Sequence, residues 1–163
     1  MSADPGVIAD LDRLGLSYEV MDCDPDLADT AAFCAAYGID PADSANTILI
    51  KSKRPEGRLA ATVVLATHRL DVNRAVRDAM SVSKVSFADA ATTIAATGMM
   101  IGGVTPFGLP ADLPVLVDAD VLERDRIILG GGNRSSKLAI RPESLLAIAS
   151  ARVIPALARP TEH

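Results

Sequence analysis

Two glycine-rich runs, one of them with cations beside it, contain the residues whose types and spacing could do chemistry. Gly130, Gly131 and Gly132 are consecutive and are followed by Asn133 and Arg134. Backbone N–H groups without side chains can turn inward and bind an anion, and a guanidinium beside them can hold a phosphate through paired hydrogen bonds. This run therefore indicates a site for a phosphate or for the oxyanion that develops when an ester is hydrolysed.

The second run extends from Gly102 to Pro110 and has glycine or proline at five of its nine positions. So many glycine and proline residues predict an irregular loop of defined conformation rather than a helix or a strand. A loop of this kind can supply backbone donors and a wall for a binding pocket without any catalytic histidine.

The glycine run at 130–132 does not fit a dinucleotide-binding motif. Its frame reads G-x-G-x-x-S, and the residues that follow, Lys137 to Ile140, alternate as in a strand instead of opening a helix. The P-loop, serine-hydrolase elbow and zinc-peptidase motifs are also absent from the sequence. If the protein is instead an unrelated small-molecule hydrolase, the plausible general base is His68, which we expect in a solvated loop.

The composition is that of an ordinary globular domain. The chain has 163 residues, of which 49% are apolar and 23% charged. Aromatic residues make up 3% and tryptophan is absent, which disfavours a protein that stacks nucleic-acid bases on an aromatic platform. The formal net charge is −5, so any contact with nucleic acid must be local. Basic residues cluster in two places, which are Lys51, Lys53, Arg54 and Arg58, and then Arg134, Lys137 and Arg141.

The ends and the cysteines indicate a cytoplasmic protein. The first residues, Met1 to Gly6, lack the basic and apolar regions of a secretory signal, and no apolar stretch is long enough for a membrane span. Cys23 and Cys34 are far from any second cysteine or histidine with ligand spacing, so we expect small buried hydrophobes and no metal. We also expect no cofactor and no membrane partner.

The order of the elements predicts a mixed α/β fold, α+β-like, in which a curled mixed sheet is surrounded by helices. Residues 1–23 should form a helix that ends at Gly15 and a short strand, and a second helix should end at Gly38. Asn46 to Lys51 predicts a strand whose hairpin partner follows a turn at Pro55 and Gly57.

The second half continues in the same alternating way. Helices are predicted up to Met80, over residues 88–96 and after Pro142, and strands over 115–118, 127–129 and 137–140. We expect residues 1–163 to form a single domain, with residues 158–163 as a flexible, frayed tail.

Three segments carry a family resemblance through their order and spacing. They are Gly38-Ile-Asp-Pro41 with Asn46-Thr-Ile-Leu-Ile50, then Gly102-Gly103-Val-Thr-Pro106-Phe-Gly108, then Gly130 to Arg134 with Pro142-Glu-Ser-Leu-Leu146. In this order they resemble the YbaK family, the aminoacyl-tRNA editing domains associated with prolyl-tRNA synthetase. The resemblance covers about Asp24 to Ser150, and it is the ordered set rather than any one motif that is specific.

The resemblance implies a freestanding, trans-editing aminoacyl-tRNA deacylase that hydrolyses the ester of a mischarged tRNA without a metal. Its partners would be the 3′ end of an aminoacyl-tRNA and an aminoacyl-tRNA synthetase in trans. Such an activity makes physical sense because one methylene in a synthetase pocket is worth only about 1–3 kcal/mol, so a second, hydrolytic site restores fidelity.

The resemblance also implies which residues form the site. The catalytic pair would be Asn46 and Thr47, which orient the aminoacyl ester. The substrate-binding residues would be Gly102, Gly103, Thr105, Pro106, Phe107, Gly108, Gly130, Gly131, Gly132 and Arg134.

The sequence departs from the family pattern at Asn46. Members of the family commonly carry a lysine immediately before the threonine that is Thr47 here. Lys51 is not expected to replace it, because an offset of five along a strand places the two side chains on opposite faces. We therefore expect a site without the usual cation. The alternative hypothesis is a non-catalytic family member that binds an aminoacyl-tRNA end or a nucleotide-like ligand.

Overall fold

The helices begin and end at the signals that the sequence carries. The computed structural model describes residues 3–161. Asp4 caps the first helix, since its carboxylate accepts from the N–H groups of Gly6 and Val7. Gly38 and Gly98 each end a helix in the left-handed conformation, with φ of +67° and +72°. The α-helices are α1 (Pro5–Arg13), α2 (Thr30–Tyr37), α3 (Arg77–Met80), which continues a π-helical turn over Val72–Val76, and α4 (Ala90–Thr97).

The strands form three sheets within residues 3–161. They are β1 (Glu19–Asp22), β2 (Ala45–Arg54), β3 (Glu56–Leu65), β4 (His68–Leu70), β5 (Lys84–Phe87), β6 (Val115–Asp118), β7 (Ile127–Gly130), β8 (Ser136–Ile140), β9 (Ala151–Ile154) and β10 (Ala158–Pro160). The five-stranded sheet has the order β5-β2-β3-β6-β9, and the smaller sheets are β1-β8-β7 and β4-β10.

The five-stranded sheet is mixed, as predicted. β2 pairs antiparallel with both β3 and β5, whereas β3–β6 and β6–β9 are parallel pairs. β5 pairs only with Ile50–Arg54 of β2, so the first half of β2 lies along the edge of the sheet there. A single parallel bridge between Ser44 and Ile128 brings β7 of the three-stranded sheet next to this edge. The space between β2 and β7 is where the candidate site lies.

The core is aliphatic, as the near absence of aromatic residues requires. The largest buried cluster joins α1 to both larger sheets through residues such as Leu11, Val63 and Leu129. Phe107 belongs to it and is fully buried. Between residues 3 and 161 no helix has both the length and the apolar character needed to cross a bilayer.

Several segments differ from the sequence prediction, and one of them is β4, where a loop was expected around His68. Ala158–Pro160 form β10, paired with β4, so the prediction of a frayed tail is wrong for these residues, while residues 162 and 163 lie outside the described part of the chain. β9 was not predicted. The segment after Pro142 is a 3-10 helix over Pro142–Ala147.

Candidate functional site

A small cavity opens between the edge of β2 and the two glycine loops. It has a volume of about 180 Å³, and its wall is formed by residues of the strands and of the loops. Of the residues singled out from the sequence, four line it. They are Asn46, Thr47, Gly102 and Gly130.

Asn46 lies where three hollows meet. Besides the small cavity, it lines an apolar hollow beside α2 and a wide groove on the other side of the strand. Its Oδ1 atom accepts a short hydrogen bond from the Thr30 hydroxyl. Asparagine carries one acceptor and one amino donor group, so the Asn46 amino group is the part left to meet a ligand.

Thr47 is half-buried, and its hydroxyl oxygen has no hydrogen-bond partner among the described residues. A buried hydroxyl without a partner costs free energy, so such a group is commonly found where a ligand or a water completes it. Because Thr47 also lines the cavity, a ligand or a water there is a candidate partner for this buried hydroxyl.

The two glycine loops pack against each other, and this close contact is the reason for most of their glycines. A Cβ on Gly130 would lie 2.5 Å from the carbonyl oxygen of Val104, and one on Gly103 would lie 2.5 Å from that of Asn133. A Cβ on Gly102 would collide with the Arg134 guanidinium. Only residues without side chains allow this approach.

Several glycine amides are already used inside the protein. The N–H of Gly103 donates to Met100 O at 2.9 Å, and the N–H of Gly132 donates to Gly103 O at 2.8 Å. The N–H of Gly108 donates to the Asp10 carboxylate at 2.9 Å. These three amides therefore hold the loops together and are not free to stabilise an oxyanion.

The remaining residues expected to bind substrate lie away from the cavity. Pro106 and Phe107 are buried, and Gly108 packs against Gly6 and Val7 at the start of α1. Gly131 and Gly132 are also directed to the interior, since a Cβ on Gly131 would collide with Ser136 and one on Gly132 with Asp4. Thr105 is fully buried, and its hydroxyl lacks a partner among residues 3–161. None of these residues lines the cavity.

Arg134 is a structural clamp in this arrangement. Its guanidinium donates to Pro25 O at 2.9 and 3.1 Å and to Ile101 O at 2.8 Å, and it lies 3.2 Å from the Asp29 carboxylate. These contacts join the segment before α2 to the loop that begins at Gly102. An arginine engaged in this way fixes the cavity wall, and its guanidinium is not free to form paired hydrogen bonds with a phosphate.

Lys137 is the residue of the cavity that the sequence analysis missed. It lies on β8, is 6% exposed, and lines the cavity. Its Nζ donates to Ala28 O at 2.6 Å and to Gly102 O at 3.1 Å, and lies 5.2 Å from the centre of the Phe33 ring. The ammonium has three N–H donors, and the third has no acceptor among the described residues.

Burial lowers the pKa of Lys137, since desolvation disfavours the charged form. The nearby Arg134 lowers this pKa further, while Cys23 and Asp29 raise it. The site therefore contains a desolvated cation after all, supplied from β8 instead of from the position of Asn46. The usual lysine is still absent at the position of Asn46, but the cavity has a cation that was not among the expected site residues. The available signal in the sequence was a lysine in an otherwise apolar strand, Lys137-Leu-Ala-Ile140, directly after the glycine run.

Lys51 does not line the cavity, as expected. Its Nζ lies 4.0 Å from the Asp89 carboxylate.

His68 lies at the start of β4, not in a solvated loop. Its side chain is 9% exposed, and its Nε2 lies 2.8 Å from Asp120. His68, Asp118 and Asp120 offer donor atoms that all lie within 4.8 Å of one another, which is a spacing that could hold a metal ion. This cluster does not line the cavity, so it gives no general base to the site.

Comparisons with known proteins agree with the sequence motifs. Residues 24–148 match the model of the family described as "Aminoacyl-tRNA editing domain". The solved structure of "hypothetical protein APE2540" has a TM-score of 0.84 at 23% identity and covers 94% of this chain and 99% of its own. A structure described as "a putative trans-editing enzyme for prolyl tRNA synthetase" has a TM-score of 0.80 at 20% identity and covers 98% and 100%.

At these identities the structural likeness establishes the fold, and this chain shares its mixed α/β architecture with both structures. The fold alone does not identify the family, but the family match does. It extends over most of the chain and includes both glycine loops and β2. The resemblance of the ordered motifs is thereby confirmed, and the chain belongs to the aminoacyl-tRNA editing domain family.

Proposed function

We propose that the protein is an aminoacyl-tRNA deacylase that hydrolyses the ester between a wrongly attached amino acid and the 3′ end of a tRNA. The observation that carries this proposal is the buried Lys137 ammonium, which lines the same small cavity as Asn46 and Thr47. An ester hydrolase needs donors for the developing oxyanion and a positioned water. The cavity offers a cation and two neutral polar side chains for those tasks.

Lys137 is the candidate oxyanion donor. Two of its N–H groups hold Ala28 O and Gly102 O, which fixes the direction of the third. A cation held in a dry site stabilises developing negative charge much better than one in water. The reaction itself is simple: water adds to the ester carbonyl, the bond to the ribose oxygen breaks, and a proton passes to that oxygen.

Asn46 and Thr47 are positioning candidates. With its Oδ1 bonded to Thr30, Asn46 can donate from its amino group to the ester or to the terminal ribose. The Thr47 hydroxyl has no protein partner among residues 3–161 and can orient the attacking water or the free ribose hydroxyl. Neither group has the pKa of a general base at neutral pH, so the substrate's own hydroxyl would help to orient the water.

The cavity volume limits what can enter. At about 180 Å³ it is smaller than the roughly 300–1,000 Å³ usual for whole small-molecule sites. It can therefore accept the aminoacyl part of the substrate, and a small side chain better than a large one, while the nucleotide stays outside.

The decisive test is hydrolysis of a panel of tRNAs charged with amino acids of increasing size. We expect deacylation of the small members above the rate without protein, and slower deacylation as the side chain grows. Asn46→Ala should reduce the rate while leaving the fold intact. A matched control is Ser83→Ala, which changes an exposed polar side chain that lines neither the small cavity nor the wide groove. Rates equal to the blank at stoichiometric protein would overturn the proposal.

The alternative is a non-catalytic member of the family that binds an aminoacyl-tRNA end. The observation that favours it is Asn46 itself, because a neutral amide stands where the family commonly has a lysine. The same panel separates the two functions. Binding of a charged tRNA without any acceleration of hydrolysis would favour the binder.

A further inference from the structure

A wide groove on the opposite side of Asn46 from the small cavity concentrates positive charge. It has a volume of about 1200 Å³ and is open to solvent, and Asn46 and Ile48 form the wall nearest to the cavity. Four of the sixteen Lys and Arg residues of this acidic chain line it. They are Arg69, Arg74, Arg77 and Arg159.

We propose that this groove binds the 3′-terminal strand of an RNA, with the arginines on its phosphates and Phe87 against one base. The proposal rests on the proposed function in one respect, because it places the terminal ribose at Asn46. The two basic clusters of the sequence lie elsewhere, at the hairpin turn and after Gly132. The groove is instead assembled from segments that are far apart in the chain.

The first observation is that these arginines have few partners inside the protein. Arg69, Arg74 and Arg159 form no side-chain hydrogen bond or ion pair with any residue between 3 and 161, and Arg77 pairs only with its exposed neighbour Asp78. Asp71 is the carboxylate that also lines the groove. The groove thus has a surplus of cations that an anionic ligand can neutralise.

The second observation is a pair of like charges held side by side. Arg69 and Arg159 are directly opposite each other in the antiparallel β4–β10 pair. Like charges in such cross-strand positions destabilise a sheet. A phosphate between the two strands would turn this repulsion into two charge-assisted contacts.

The third observation is Phe87. It is one of only three phenylalanines, it is 56% exposed, and it lines the same groove. Stacking on a nucleic-acid base is a common use of an exposed aromatic ring beside arginines. One ring serves one or two bases, which suits a short single strand better than a duplex.

The test uses an uncharged RNA hairpin that ends in a single-stranded CCA, so that binding is measured without any ester. Fluorescence anisotropy over a salt series compares wild type with the pair Arg74→Ala/Arg159→Ala. The matched control is Arg54→Ala/Arg58→Ala, which removes the same charge at the β2–β3 turn. We expect the groove pair to weaken binding about tenfold or more and the control pair less than twofold.

The salt series adds a second readout. For single-stranded nucleic acid the logarithm of the affinity falls with the logarithm of the salt concentration by about 0.7 for each phosphate contact. The groove pair should therefore reduce the slope by about 1.4. Phe87→Ala should weaken binding about fivefold or more with the slope unchanged, because stacking is not electrostatic.

The outcomes separate the two proposals. Equal losses for the groove and the control pair, or no measurable binding by wild type at low salt, would overturn the groove as the RNA site. If the deacylation panel shows no activity but the hairpin binds through the groove arginines, the groove stands and the catalytic proposal fails. All groove variants change exposed or half-buried side chains, and an unchanged thermal midpoint checks that each one folds.

Discussion

The small cavity and the arginine groove share one residue, Asn46, and use positive charge in opposite ways. In the cavity a single cation, Lys137, is buried and held by two backbone carbonyls and the Phe33 ring. In the groove four arginines lie in or near solvent, and three of them lack a side-chain partner within residues 3–161. One region holds a charge in a fixed place, and the other gathers charge at the surface.

This difference indicates which region supplies binding affinity for the substrate and which region supplies catalysis. A buried, oriented cation costs desolvation on folding, but needs no reorganisation when negative charge develops beside it. Exposed cations are screened by salt and contribute to attraction over a wide surface. On this basis, changes in the cavity should alter kcat and changes in the groove should alter KM.

The largest effect is expected from Lys137→Met, which keeps an unbranched side chain as far as Cε and removes the ammonium group. Loss of an oxyanion donor costs about 10²–10³ in kcat, so deacylation should fall by that factor with little change in KM. The control is Lys84→Met, an exposed lysine on β5. Single-turnover rates on a charged tRNA make the measurement.

Because Lys137→Met also leaves two carbonyls without their donor, the milder Lys137→Gln and the thermal midpoints of both variants should be measured alongside. A folded Lys137→Met protein with nearly wild-type kcat would show that the buried cation only holds the loops.

The second largest effect should come from the contact between the glycine loops. Gly130→Ala places a Cβ 2.5 Å from Val104 O, and overpacking against backbone costs about 1–3 kcal/mol. Gly57→Ala is the control, since a Cβ there has open space among the described residues and meets only the cost of its φ of +94°, about 1 kcal/mol. Urea unfolding measures both free energies, and equal losses would contradict the close packing of the loops.

A third and smaller effect concerns salt. Raising the salt concentration from about 50 to 200 mM should increase KM for a charged tRNA roughly tenfold or more if the groove makes several phosphate contacts. The value of kcat should stay nearly constant, because Lys137 is shielded from solvent ions. A fall in kcat as large as the rise in KM would contradict the assignment of catalysis to the cavity and of binding to the groove.

The smallest effect should appear at Asp118, a buried charge that lacks the firm partners of Lys137. Asp118 is fully buried, its Oδ1 accepts from the N–H of Ala158 at 3.2 Å, and its Oδ2 has no partner among the described residues. Desolvation raises its pKa above the usual value, against the lowering effect of the Ala158 hydrogen bond and of His68.

A folded-state pKa that is raised means that the native protein binds the proton more tightly than the unfolded chain. The stabilising contribution is then complete at pH values below the unfolded pKa and is lost as the pH rises through the folded pKa. We therefore expect Asp118→Asn to gain stability relative to wild type between about pH 4 and neutrality. Urea unfolding at both ends of this range, with and without His68→Gln, tests the sign, and a difference that is independent of pH would contradict it.

Local signals account for what the sequence could predict. The helix starting after Asp4 and the stops at Gly15, Gly38 and Gly98 depend on neighbours in the chain, so propensity and capping rules find them. The hairpin and the mixed sheet followed from the same kind of signal.

The missed features all depend on residues that are distant in sequence. The carbonyl partners of Lys137 lie 109 and 35 positions away, and the partner of His68 lies 52 positions away. The groove joins Arg159 on the last described strand to Arg74 on the turn before α3. Solvation and partnering decide whether a lysine is a surface charge or a buried cation, and neither can be read from its immediate neighbours.

The bare backbone at Gly102 and Gly130 has a consequence for how such a pocket could change its selectivity. Since a glycine has nothing left to trim, substitution at these two places can narrow the pocket or force the loops apart but cannot enlarge it. Any widening toward bulkier amino acids must come from lining residues that carry side chains, such as Ile48 on β2 or Ile101 next to Gly102. Variation in substrate size should therefore be sought at the lining residues that carry side chains and not at these two glycines.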